Sequence, residues 1–212
     1  QERAALAVAG CTQEDDKMCM QLAGLPRDVR AKFVARLESP NSVVRMSVAR
    51  AIANCTSVEP DDASGAGGED EAEVDVAEVL LVVGVVPRLV GLLTSPTLAL
   101  IQSATLALDN MCTDSAAVRR EVVKAGGVDA LVNVLAYPDK YPSNGDVKES
   151  IVSCLSVLAE GSAEVSELLA GNGGMRHLYA MVRSFTNAAG DAQRDGDDGR
   201  TRGEDEVEGL RE

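Results

Sequence analysis

The feature that most constrains this chain is that it repeats. Residues 37–57 lie on residues 93–113 at a shift of 56, without a gap. Leu37/Leu93, Ser39/Ser95, Pro40/Pro96, Ser47/Ser103, Ala51/Ala107 and Asn54/Asn110 are then identical, six positions of 21, where chance gives about one or two. A shift of 42 lays Gly84–Leu93 on Gly126–Leu135 and pairs Leu89/Leu131, Val90/Val132 and Leu93/Leu135. A shift of 47 carries Leu108 to Leu155, Gly126 to Gly173 and Leu131 to Leu178. A unit of 42 residues reconciles the three shifts. Five extra residues fit in the turn formers of Tyr137–Gly145, and fourteen in the acidic stretch Glu59–Asp75. A repeat of this length cannot bury its own apolar face, so its copies must stack.

Inside the unit the apolar period is helical. Val85, Leu89, Leu92 and Leu93 recur at three and four, as do Leu100, Ala104, Ala107, Leu108 and Met111. Pro87 falls in the first turn of its helix, where a missing N–H costs little. Ser39-Pro40 and Ser95-Pro96 mark breaks between helices, and Gly84, Gly126 and Gly173 each stop one helix before the next begins. Each unit reads as a short helix, a turn and a longer helix ending near Asn110 or its equivalent.

Composition agrees. Trp is absent, and two Phe with three Tyr leave the core to Leu, Val, Ala, Ile and Met, which speaks against a β-sandwich or barrel. The longest apolar run, Val79–Val86, is too short to span a membrane and nothing at the N-terminus reads as a signal peptide. The net charge of −14 is unevenly placed. Nine acidic residues and no basic ones lie between Glu59 and Glu78, and nine acids against four Arg follow from Ser184 to Glu212. The remaining body carries 16 acids and 16 bases. A neutral body with two acidic Gly-rich segments suits disorder in those segments and is a poor holder of phosphates. Nucleic acid and membrane insertion are therefore not expected.

The run Gly84-Val-Val-Pro-Arg-Leu-Val-Gly-Leu-Leu-Thr-Ser95, followed by Ala104, Ala107-Leu108-Asp-Asn110-Met111 and Arg119-Arg-Glu-Val-Val-Lys-Ala-Gly126, resembles the armadillo repeat almost line for line. The resemblance covers about 3–182 and is strongest in 84–126. It implies an all-α, right-handed α-α superhelix of the armadillo/HEAT type with three to four repeats, expected to be a piece of a longer array. The expected division is a partial repeat at 1–24, a repeat at 25–83 with an acidic disordered insertion near 58–75, repeats at 84–125 and 126–172, the start of a last repeat at 173–183, and a disordered acidic tail at 184–212.

In that family the long third helices line a concave groove that binds partner segments, in some members through an Asn near the helix end. Asn54 and Asn110 occupy that place here, while Gly10 and Val157 replace it in the first and last units. An amide side chain can pair with a peptide N–H and C=O without reading sequence. It can equally cap a helix or tie one repeat to the next, and both readings stand. The Trp that importin-type members carry four residues earlier is replaced by Arg50, Leu106 and Ser153, so capture of a basic localisation signal is not expected. The expected groove therefore comprises Ser47, Arg50, Asn54, Ser103, Leu106, Asn110, Ser153 and Val157, suited to an apolar or mildly acidic segment.

Catalytic readings find little support. No nucleophile elbow, phosphate-binding loop or dinucleotide fingerprint occurs, and His177 is the single histidine, expected at the surface. Asp195–Gly199 lacks the ligand spacing of a calcium loop. No cofactor, metal or small-molecule substrate is expected, and the chain is read as a non-enzyme. Cys11, Cys19, Cys55, Cys112 and Cys154 read as reduced small apolar residues of an intracellular, cytoplasmic or nuclear protein; Asn54-Cys55-Thr56 matches a glycosylation sequon but lies in a helical pattern. The expected function is a protein–protein interaction module, scaffold or adaptor. The rival expectations are an exchange or regulatory factor for a small GTPase or heat-shock chaperone, and a structural subunit of a larger assembly.

Overall fold

The computed structural model describes residues 10, 16–57, 75–141, 144–181 and 183; the bulk of the acidic insertion, 58–74, and the acidic tail, 184–212, lie outside the described residues. Among the described residues every regular element is helical. In chain order they are α1 (Asp16–Gly24), α2 (Arg27–Val34) with a 3-10 turn at Ala35–Glu38, α3 (Ser42–Cys55), α4 (Val76–Leu81), α5 (Val85–Leu92), α6 (Leu98–Asp114), α7 (Ala116–Lys124), α8 (Gly127–Ala136), α9 (Gly145–Ala159) and α10 (Ala163–Gly171). A last helix, α11, covers 174–181.

Local chemistry fixes these boundaries. Asn41 Oδ1 accepts from Val43 N at 2.9 Å, Asp75 Oδ1 from Ala77 N at 2.8 Å, and Asn144 Oδ1 from Val147 N at 3.0 Å, each satisfying a donor the helix start leaves open. Ser115 and Ser162 do the same for α7 and α10. Asp75, which by composition belongs to the acidic stretch, is thus the N-cap of α4. Gly84, Gly126 and Gly173 take φ of 74°, 74° and 76°, a left-handed conformation that only glycine adopts without strain and that reverses the chain between short and second helices.

The helices stack by kind. The short helices pack α1 on α4 and α4 on α7, and the long ones α3 on α6 and α6 on α9. One continuous core runs through the stack, with Ile52, Leu80, Leu89, Leu108, Leu131 and Ile151 fully buried. The aliphatic periodicity of the sequence is therefore spent on contacts between copies. Tyr141, in the expected turn-forming insertion, is almost buried against the core, with the Lys140 ammonium 5.0 Å from its ring centre.

Cys19, Cys55, Cys112 and Cys154 are buried thiols; Cys11 lies outside the described residues. Two cross-helix pairs appear that sequence spacing does not show: Cys55 beside Cys19, and Cys154 beside Cys112. Burial, then the neighbouring Cys19, pushes the Cys55 thiol far above its ordinary range. The hydrogen bond with Cys112, then burial, raises Cys154. Folded pKa values above the unfolded value of about 8.5 mean a stability contribution that is complete below that pH and lost as pH rises beyond it. Site-resolved alkylation with iodoacetamide at pH 8 is expected to label Cys55 and Cys154 at least about tenfold faster in urea than in the folded chain. Equal labelling would show that the α1–α3 and α6–α9 seams are open.

Candidate groove on the long-helix face

The residues at equivalent positions of α3, α6 and α9 form rows across three adjacent helices. Arg50, Leu106 and Ser153 make one row, and all three are exposed, Leu106 at 41% despite its apolar side chain. One turn later Asn54, Asn110 and Val157 make a second row, each half-buried. Val157 leans on the core rather than standing free.

Asn110 has a defined task. Its Nδ2 donates to the backbone carbonyl of Ala53 at 2.9 Å, tying α6 to a carbonyl near the C-terminal end of α3. The inter-repeat tie is thus present for this residue. Asn110→Ala is expected to cost about 1 kcal/mol of unfolding free energy, the net worth of one such bond, read by urea denaturation. A neutral result would mean that the amide does not hold the seam.

Ser47 and Ser103 do not line the face, contrary to expectation. They are 1% and 9% exposed, and Ser103 Oγ donates to Ala99 O within its own helix at 2.8 Å. Each lies three residues before the exposed row, roughly 60° around the helix. For Ser103 this is the side on which Asn110 reaches α3. At Ser103 the small side chain lets α6 approach α3, and both serines are buried residues of the helix packing.

The other side of the exposed row holds a residue that sequence reasoning missed. Asp109 is half-buried between α6 and α9, with Ser153 beside its carboxylate. Its Oδ1 is enclosed without a hydrogen-bond partner. Burial raises its pKa above the usual carboxylate value, and the Ser153 hydroxyl opposes that rise. The equivalent positions are Ala53 and Ser156, so self-comparison carried no signal; a polar break in the apolar run Leu106–Met111 was the one hint. Asp146 and Glu149 stand exposed on α9, and Gln102 Nε2 on α6 reaches Asp146 Oδ2 at 3.5 Å.

His177 is half-buried in the first turn of α11 rather than exposed. The sequon falls inside α3 and its turn, with Thr56 Oγ1 donating back to Ile52 O at 3.0 Å. Among the described residues no helix is long and apolar enough to cross a membrane, and no three His, Cys, Asp or Glu side chains converge to hold a metal ion. A shallow depression on the opposite layer is lined by Asp129, Glu164, Glu167, Leu168, Gly171 and Asn172; there Asn172 Nδ2 already donates to Asp129 Oδ1 at 2.8 Å.

In sequence, no protein-family profile and no curated protein matches the chain. Solved structures do match in shape. The designed armadillo repeat protein YIII(Dq)4CqI superposes with a TM-score of 0.65 at 18% identity, over 83% of this chain and 65% of its own. A designed armadillo repeat protein, YIII(Dq.V1)4CPAF, in complex with the peptide (KR)4 gives 0.66 at 20% identity, over 84% and 66%. Computationally designed armadillo repeat proteins for modular peptide recognition give 0.64 at 18%, over 81% and 63%. The chain thus spans less than two thirds of the length of each. At these identities the likeness establishes architecture, and with the stacked short and long helices it makes the fold of this chain an all-α, armadillo-like repeat solenoid.

Proposed function

We propose that this chain is a non-catalytic binding scaffold that holds an extended segment of a partner protein along the face of α3, α6 and α9. The observation that carries this reading is the exposed row Arg50, Leu106 and Ser153, at one position of three stacked helices. Packed helices lie about 8–10 Å apart, and same-side residues of an extended chain recur every second position, about 6.6 Å, so such a chain can present roughly one side chain to each helix. The amides of Asn54 and Asn110 and the packed edge of Val157 border the same path. The fold it shares with designed peptide-recognition proteins supports the reading.

The test is affinity capture from a eukaryotic lysate with the native chain and Leu106→Glu, a surface change that leaves the helical core intact. Partners held by the groove are expected to be lost, with circular dichroism unchanged. Retention of every partner by Leu106→Glu overturns the groove reading.

A second reading, a structural subunit joined through its end, is favoured by one observation. Met175 and Tyr179, one turn apart on α11, are 56% and 71% exposed, an apolar pair that a neighbouring subunit would cover. Tyr179→Lys is expected to reduce any self-association seen by sedimentation; a chain monomeric at high concentration removes that support.

A further inference from the structure

The face described above is not uniform in charge. Arg50 is the cation of the exposed row, and it lies on α3. Arg45 on α3 and Lys148 on α9 project roughly 140° around their helices from Arg50 and Ser153, at about 100° per residue. On α9, Asp146 falls roughly 20° from Ser153 toward α6 and Glu149 roughly 40° from it on the other side by the same measure, and both are exposed. Asp109 stands between α6 and α9 with one carboxylate oxygen enclosed and unpartnered. Leu106, exposed and apolar, separates the two signs. Among the described residues neither Arg50 nor Glu149 belongs to an ion pair. Charge along the face thus runs from positive, through apolar, to negative.

We infer that the segment the groove takes is bipolar: an acidic side chain over Arg50, an apolar side chain on Leu106, and an Arg or Lys over Ser153, with Asp109 on one side of it and Glu149 on the other. This rests on the groove reading and narrows it. The first two contacts are those of an apolar or mildly acidic ligand; the cationic end follows from Asp109 and the α9 carboxylates. The distance from α3 to the α6–α9 seam is about one and a half helix spacings, roughly 12–15 Å. That separates the two charged ligand residues by about four extended positions, an even number that keeps both on the same side of the segment. Charge complementarity of this kind fixes register and rejects single-sign segments more than it adds affinity. A guanidinium is the better fit at the inner end, since its planar fork can pair with the exposed Glu149 carboxylate through two parallel hydrogen bonds.

The experiment uses the full chain and three labelled synthetic peptides of equal length with the same Leu-containing centre. One carries Glu at one end and Arg at the other, one Glu at both ends, and one Arg at both. Fluorescence anisotropy is expected to give the bipolar peptide an affinity about tenfold above either other. Arg50→Glu should transfer the preference to the all-Arg peptide, and Asp109→Asn with Glu149→Gln should transfer it toward the all-Glu peptide. Asp109→Asn alone should also raise the melting temperature of the free chain, because it removes a carboxylate that burial disfavours. Equal binding of all three peptides, or a preference that Arg50→Glu does not move, overturns the bipolar assignment. If that binding is still abolished by Leu106→Glu, the groove reading survives the failure. If no peptide binds in a way that depends on Leu106, the groove reading falls and the bipolar inference falls with it.

Discussion

Leu108→Ala is expected to lower the unfolding free energy by about 3–5 kcal/mol, the upper range for a leucine deleted from a tight core. Leu108 is 0% exposed on α6, the long helix held between α3 on one side and α9 on the other. A cavity there cannot close by moving one helix, because either movement opens the opposite seam. Leu106→Ala, two residues away and 41% exposed, supplies the control and should cost less than about 1 kcal/mol. Urea denaturation followed by circular dichroism reads both. In a stacked array the loss should spread from the central unit to its neighbours. Hydrogen exchange should therefore accelerate in α3 and α9 as well as in α6. A cost below about 1 kcal/mol for Leu108→Ala would mean that α6 is not the spine of the stack.

The second large effect belongs to Gly127. A methyl group there would lie 2.5 Å from Val122 Cγ1 and 2.9 Å from the Val122 carbonyl oxygen. The side chain could rotate away, but the backbone oxygen moves only if α7 shifts against α8. Overpacking of this kind costs about 1–3 kcal/mol, against which the better helix propensity of Ala returns up to about 1. The net expectation for Gly127→Ala is a loss of about 2 kcal/mol and a melting point lower by roughly 4–8 °C. Gly126→Ala, its neighbour, costs through backbone strain at φ 74° instead, by roughly 1 kcal/mol. Adding Val122→Ala to Gly127→Ala should recover only the side-chain part. Full recovery would show that the carbonyl contact is not the obstacle, and an unchanged melting point for Gly127→Ala itself would show that α7 yields without cost.

The contrast between these two glycines shows how much of the molecule was legible beforehand. Gly126 recurs at Gly84 and Gly173, and a glycine that recurs at a helix boundary announces a left-handed turn. Gly127 aligns with Val85 and Gly174, so no rule of the repeat demands glycine there. At 85 a valine is fully buried, while a Cβ at 127 would meet the preceding helix. The difference lies in the approach of two particular helices. Ser47 and Ser103 mislead in the opposite direction. They recur as binding residues would, yet both are buried. Asp109 recurs nowhere, and only its place between α6 and α9 makes it a candidate for recognition.

The sequence by itself determined the helical class, the length of the unit, the aliphatic core and the positions where helices break. These follow from periodicity, capping and the steric preferences of Gly and Pro, which act over a few residues and survive without any partner. It also placed Arg50, Leu106 and Ser153 on one row, because equivalent positions in stacked copies must share a face. The tertiary structure decided which residues beside that row look outward. It turned Ser103 toward α3, used Asn110 to hold Ala53, and left Asp109 half-enclosed beside Ser153. Those outcomes depend on how far apart neighbouring helices sit and how they are rotated about their axes. Both quantities are set by the packing of side chains from different units, which no local pattern along the chain encodes.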